Sequence, residues 1–171
     1  MVGNRKQAIG ILALQGGVDL HRMAFHKAGC DVVEVKKPTQ LAEIDRLVIP
    51  GGESTALLKL MAPWDFLAAI KTFDRPILGT CAGAILLANQ VLPSQSSLQL
   101  IDMTVKRNAY GRQVDSFNAY GSVEMGLSNE TIPLAFIRAP KIESIGPRVD
   151  VLVTHDGKPV LVQQHNFLAA T

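Results

Sequence analysis

Short apolar stretches alternate with helix-like ones through the first half of the chain, and that alternation constrains the fold more than any other feature. AIGILAL (from Ala8), CDVVEV (from Cys30), LVIP (from Leu47) and the Pro76-Ile77-Leu78 run are each too short for a buried helix and read as strands. Between the first two, Leu20, Met23, Ala24 and Ala28 fall at helical spacing, and Gly29 is placed to stop that helix. Ser54 to Ala62 and Asp65 to Phe73 also read as helical, with Pro63 dividing them. Strands alternating with helices build a parallel sheet covered on both faces. Beyond Leu92 the texture changes: LIDMTV, VDSFNAYGSVEM, LAFIRA and VDVLVT are rich in β-formers, and Asp156-Gly157 is a hairpin signal before PVLVQQ. The expected fold is α/β: a three-layer, open, mainly parallel sheet flanked by helices, with added antiparallel strands in the C-terminal half. Residues 1–171 read as one domain, without internal repeat, low-complexity segment or linker.

Composition narrows the function. A chain of 171 residues that is 47% hydrophobic and 19% charged can bury a real core. A net charge of +2 gives no footing for nucleic acid, and the pairs Lys36-Lys37 and Lys106-Arg107 read as solvated. Arg5 and Lys6 before AIGILAL imitate a short signal peptide, but the run leads into QGGVD without a small-residue cleavage pattern. No stretch approaches the roughly 18 apolar residues that cross a bilayer. Cys30 and Cys81 can form no disulfide framework and lack zinc-type spacing, so a reducing, cytoplasmic setting is expected, with no metal. Cys30, at a helix-to-strand boundary, reads as core.

Two turns stand out. In RPILGTCAGAILLANQ (Arg75 to Gln90), Cys81 falls between an apolar strand and a helix read from Ala82 through Leu92, with Gly79 and Gly83 on either side. Small neighbours permit a sharp strand-to-helix turn that lifts one side chain out of the sheet, as in a nucleophile elbow. The unpartnered N–H groups at a helix start favour thiolate, and such placement can lower a cysteine pKa from about 8.5 to roughly 3.5–7.5. A buried, inert cysteine is the alternative, and the paired glycines favour the nucleophile without deciding it. IPGGEST (Ile49 to Thr55) likewise follows a strand and opens a helix, with Ser54 able to cap it. Its glycines can bring backbone N–H groups toward a developing oxyanion, although a plain strand-to-helix connection would look the same. PGGEST lacks the spacing and lysine of a Walker loop and no GxGxxG is present, so nucleotide binding is unsupported.

LALQGG (Leu12 to Gly17), PGGEST (Pro50 to Thr55), GTCAG (Gly79 to Gly83), RNAYGRQVDSF (Arg107 to Phe117) and FIRAP (Phe136 to Pro140) occur in collinear order over nearly the whole chain. Together they resemble the class I, triad-type glutamine amidotransferases, and among these the glutaminase subunit of pyridoxal phosphate synthase. The resemblance implies hydrolysis of L-glutamine to glutamate and ammonia through a cysteine thioester, without metal or cofactor. The ammonia would pass to a synthase subunit that makes pyridoxal 5'-phosphate (vitamin B6). It implies Cys81 as nucleophile, Gly52 and Ala82 as oxyanion donors, and Gln15 beside them in activation. Glu53, Ser54, Arg107, Ile137 and Arg138, with Gly52, would contact glutamine.

In that family the strand matching NFLAAT is followed by Phe-His-Pro-Glu, which supplies the base histidine and its orienting glutamate. The sequence given reaches Thr171, so a truncated sequence is expected, short of that segment and of a closing helix. The histidines present read as structural or surface groups: His165 as a strand residue, His155 as solvent-exposed, and His21 and His26, five apart, as helix residues away from the cysteine turn. An inactive docking subunit of the same complex, or another cysteine-elbow protein of this sheet class, is the alternative.

Overall fold

The computed structural model describes residues 7–109, 116–124 and 130–171. Strands β1 (Ala8–Leu12), β2 (Asp31–Val35), β3 (Arg46–Ile49) and β4 (Ile77–Thr80) pair in parallel in the order β2-β1-β3-β4. β12 (Phe167–Ala170) joins the far side of β4, also in parallel, with Ala170 opposite Thr80. From β12 the sheet continues antiparallel through β11 (Lys158–Gln164), β10 (Asp150–His155), β7 (Phe117–Val123) and β8 (Thr131–Phe136), nine strands among the described residues. The parallel half and its antiparallel extension are those expected from the change in texture. The β10–β11 hairpin turns on Asp156 (φ 49°) and Gly157 (φ 70°), the two positive-φ residues that a tight hairpin requires. Part of RNAYGRQVDSF (residues 110–115) and the Met125 end of VDSFNAYGSVEM lie outside the described residues, as do Arg5 and Lys6.

Residues of β1 alternate between two cores. Ile9 and Ile11 pack with Val48 and Leu78 on one face, under Val18 and Phe25 of α1 (Val18–Lys27). Leu12 points to the other face with Ile49 and Ile77, under α2 (Ser54–Met61), α3 (Phe66–Lys71) and α4 (Ala82–Leu87). Helices therefore lie on both sides of the parallel strands. The apolar spacing of Leu20, Met23, Ala24 and Ala28 does not mark the packed stripe of α1. Leu20 is 75% exposed and Met23 66%, and the half-buried positions are Val18, His21 and Phe25. Gly29 does end the helix, at φ 79°. Pro63 sits in a short 3-10 turn, Ala62–Trp64, that separates α2 from α3.

The helix read from Ala82 through Leu92 is shorter than expected. α4 ends at Leu87, and Ala88–Leu92 is a strand, β5, paired with β6 (Ile101–Lys106). All six residues of α4 are buried, so it is apolar all round, and tertiary pairing claims the next five residues from a sequence that could have continued helical. β6 pairs in turn with β9 (Lys141–Ile145), giving a separate three-stranded sheet that the sequence did not foretell. The buried Gln164 of β11 ties the two sheets by accepting the Asp102 N–H at 2.7 Å.

Two histidine expectations also change. His155 is not solvent-exposed: its ring lies 5.3 Å from that of Phe136, and Nδ1 is 3.1 Å from the Tyr120 carbonyl oxygen. His165 is not a strand residue but an exposed turn residue (φ 54°) between β11 and β12. Among the described residues no helix is long and apolar enough to cross a membrane, and no three His, Cys, Asp or Glu side chains cluster as metal ligands.

Candidate active site

Parallel strands present their carboxyl ends to one edge of the sheet, where ligands of open α/β folds bind. Here that edge is a cleft of about 610 Å³, and the ends of β1, β3, β4 and β12 supply Gln15, Gly52, Cys81 and Thr171 to its wall. Arg107 after β6, and Ile137 and Arg138 after β8, complete its lining. Residues far apart in sequence meet because successive crossovers return the chain to the same edge.

Cys81 occupies the sharp turn between β4 and α4, with φ 48° and ψ −102°, a backbone conformation that a non-glycine residue adopts only under constraint. Its N–H donates to the Ala170 carbonyl at 2.8 Å, and its own carbonyl accepts the Ile85 N–H at 3.1 Å. The flanking glycines are there for close approach. A Cβ on Gly79 would lie 2.5 Å from the Gly83 carbonyl carbon, and one on Gly83 would lie 2.1 Å from the Ile49 carbonyl oxygen. Neither contact is with a flexible side chain, so β4 can meet α4, and α4 can meet β3, only with glycine at both places.

The sequence reading expects a lowered thiol pKa, and the structure reverses the sign. Burial is the largest influence and pushes the Cys81 thiol up, against the opposing pull of the Gly52 and Ala82 N–H groups and the Arg138 charge. A six-residue helix start does not outweigh removal from water.

The two-glycine turn faces this sulfur. Gly51 is so near that an added Cβ would lie 3.3 Å from Cys81 Cβ. Gln15 lies against Gly52 and spans the Glu53 backbone: Nε2 donates to the Glu53 carbonyl at 3.2 Å, and Oε1 accepts the Glu53 N–H at 3.5 Å. Gly17 N–H donates to the Gly51 carbonyl at 2.9 Å, joining the turn after β1 to the turn after β3. The cap of α2 is Glu53 and not Ser54. The Glu53 carboxylate accepts the Thr55 and Ala56 N–H groups at 3.2 and 2.7 Å and pairs with Arg107 Nη2 at 3.2 Å. The Thr55 hydroxyl, those N–H groups and the Arg107 charge hold that carboxyl below its usual range, against a smaller opposing effect of burial. Ser54 is instead buried, and its hydroxyl donates to Gln95 Oε1 at 3.1 Å.

All the residues singled out in the sequence therefore gather here: Gln15, Gly52, Glu53, Ser54, Cys81, Arg107, Ile137 and Arg138 line the cleft, and Ala82 starts α4 directly after the thiol. His21 is the residue that sequence reasoning missed. It lines the same cleft, with Nε2 3.0 Å from the Thr80 hydroxyl, although order along the chain sets it apart from the cysteine turn. Its signal was its phase, because Val18, His21 and Phe25 recur at three- and four-residue steps.

Chains of similar sequence and fold are found among known proteins. The pyridoxal 5'-phosphate synthase subunit PdxT of Koribacter versatilis is 50% identical over 166 residues, covering 95% of this chain and 85% of the relative. PdxT of Desulforudis audaxviator is 47% identical over 165 residues, with 94% and 87% covered. Among solved structures, a glutamine amidotransferase crystal structure superposes with a TM-score of 0.87 at 38% identity, over 95% of this chain and 87% of that one. A glutamine amidotransferase from Thermotoga maritima shares the fold, with a TM-score of 0.66 at 11% identity over 98% and 75% of the two chains. The model of the SNO glutamine amidotransferase family matches residues 11–171, from β1 through β12, and the chain belongs to that family.

Proposed function

We propose that the chain is the glutaminase subunit of a pyridoxal 5'-phosphate synthase, hydrolysing L-glutamine to glutamate and ammonia, with the ammonia passed to a synthase subunit. The observation that carries the chemistry is the meeting of two turns at Cys81: the Gly51-Gly52 turn packs against its side chain, α4 starts at the next residue, and the Gly52 and Ala82 N–H groups both favour the thiolate. Donors fixed beside a nucleophile are placed to receive the oxygen charge that develops as it attacks an amide. The Cys81 sulfur adds to the side-chain carbonyl carbon of glutamine, the carbonyl oxygen becomes the oxyanion held by Gly52 and Ala82, and Gln15 braces that turn. Collapse, with the proton taken from the thiol passed to the leaving nitrogen, expels ammonia and leaves a γ-glutamyl thioester, and water then releases glutamate and returns the thiol. Arg107, Arg138 and the Glu53 carboxylate offer opposite charges to the zwitterionic end of glutamine. Ser54 holds the start of α2 in place, and Ile137 covers the methylene stem.

Because burial favours the thiol, the reaction needs a group that takes its proton. The resemblance assigns that role to the histidine of Phe-His-Pro-Glu after the last strand. The strand order supports it: β12 runs beside β4, Ala170 carries the hydrogen bond to Cys81, and Thr171 lies on the cleft wall, so a segment continuing from Thr171 would leave the sheet beside Cys81. The unpaired Cys30 and Cys81 support a reducing, cytoplasmic setting. The test is ammonia release from glutamine by the full-length protein assembled with its synthase. Cys81→Ala is expected to abolish it, and release at an undiminished rate from that variant would overturn the reading.

A further inference from the structure

α1 covers its face of the sheet with Val18, His21 and Phe25, and His21 is the polar member of that stripe. Its ring stacks on Phe25, with centroids 6.4 Å apart and planes 22° from parallel, so the imidazole is held from the side as well as at its tip. Burial depresses its pKa, which keeps the ring neutral near pH 7. A neutral ring pairs with the Thr80 hydroxyl in either tautomer, because a hydroxyl both donates and accepts.

Thr80 is the last residue of β4 and the neighbour of Cys81. The constrained Cys81 backbone is held from one side by the Ala170 carbonyl of β12, and the His21–Thr80 bond fastens the residue before it from the other. α1 also begins directly after the Gln15-Gly16-Gly17 turn, which is bonded to Gly51 and Glu53. One imidazole thus links the element that carries Gln15 to the strand end that carries the thiol.

Resting on the glutaminase reading, we propose that His21 is a positioning residue for glutamine hydrolysis: through the Thr80 hydroxyl it fixes the end of β4, and so the Cys81 sulfur, relative to the Gly52 and Gln15 side of the cleft. Small displacements matter at such a site, since a 1 Å misplacement can cost about a hundredfold in rate. The role differs from that of a base, because Nε2 is engaged by Thr80. A glutamine side chain ends where Nε2 does and can keep that bond, whereas it cannot take up a proton.

The experiment measures kcat and KM for glutamine in the full-length protein assembled with its synthase, for His21→Leu, His21→Gln, Thr80→Val, Thr80→Ser and the His21→Leu/Thr80→Val pair. His21→Leu and Thr80→Val are each expected to lower kcat about tenfold with KM changed less than about twofold, consistent with loss of positioning by one bond. The pair should be no slower than either single change, because both remove the same bond. His21→Gln and Thr80→Ser should stay within about threefold of the unsubstituted protein, and these two conservative variants decide the matter should His21→Leu fail to fold. Undiminished kcat in His21→Leu, multiplied losses in the pair, or a folded His21→Gln as slow as His21→Leu would each overturn the proposal. An unsubstituted complex that releases no ammonia would instead overturn the glutaminase reading itself.

Discussion

At the scale of single residues, the chemistry turns on where Cys81 sits with respect to water. The fold favours its neutral thiol, so the thiolate fraction at pH 7 is smaller than that of a free cysteine and grows about tenfold with each pH unit up to the raised pKa. Iodoacetamide labelling of the Cys81 peptide, followed by mass spectrometry, should therefore climb through pH 9 in these 171 residues, and a plateau below pH 7 would contradict it. Arg138→Ala removes an opposing influence and should slow labelling further at a given pH. The sign carries over to stability, because a raised thiol pKa is a contribution present below the unfolded value and lost as pH rises through the folded one. Cys81, its glycine frame and the PGGEST turn were legible from residue types alone, because only small residues allow the backbone contacts seen at Gly79 and Gly83. The direction of the pKa was not, since it depends on β12 and α1 covering a turn whose own sequence says nothing of them.

Elements were legible where local pattern and tertiary environment agree. β1, β3 and β4 place apolar residues on both faces and bury them on both, so the pattern sufficed, and β2, at the sheet edge, still read as a strand from its Val32, Val33 and Val35. α1 shows the opposite case: Leu20 and Met23 carry the apolar spacing read from the sequence, yet the packed side is Val18, His21 and Phe25. Urea unfolding should separate the two readings. Leu20→Ser and Met23→Ser are expected to move stability by no more than about 0.5 kcal/mol, as at exposed sites. Phe25→Ala should cost roughly 2 kcal/mol, below the 3–5 of a fully buried ring because Phe25 is half-buried. A larger loss from Leu20→Ser than from Phe25→Ala would reverse the assignment. β5 was hidden for a related reason, since nothing within Ala88–Leu92 announces that β6 will pair with it.

At the scale of the molecule, β12 joins the parallel half of the large sheet to the antiparallel half, pairing with β4 on one side and β11 on the other. Deleting residues 167–171 should uncouple the two halves, seen as loss of a single cooperative urea transition and as fast amide exchange in both β4 and β11. Unchanged protection of β4 would show that the strands hold without it. The overall class was legible because alternation and hairpin signals are local; the pairing of β12 with β4 joins segments far apart in sequence and had no local mark. That long reach also sets an order of events during synthesis. The turn bearing the thiol leaves the ribosome well before the strand whose carbonyl anchors it, so a nascent chain carries Cys81 without the hydrogen bond that fixes its turn. The backbone geometry of that turn is therefore completed late, by the arrival of a distant strand.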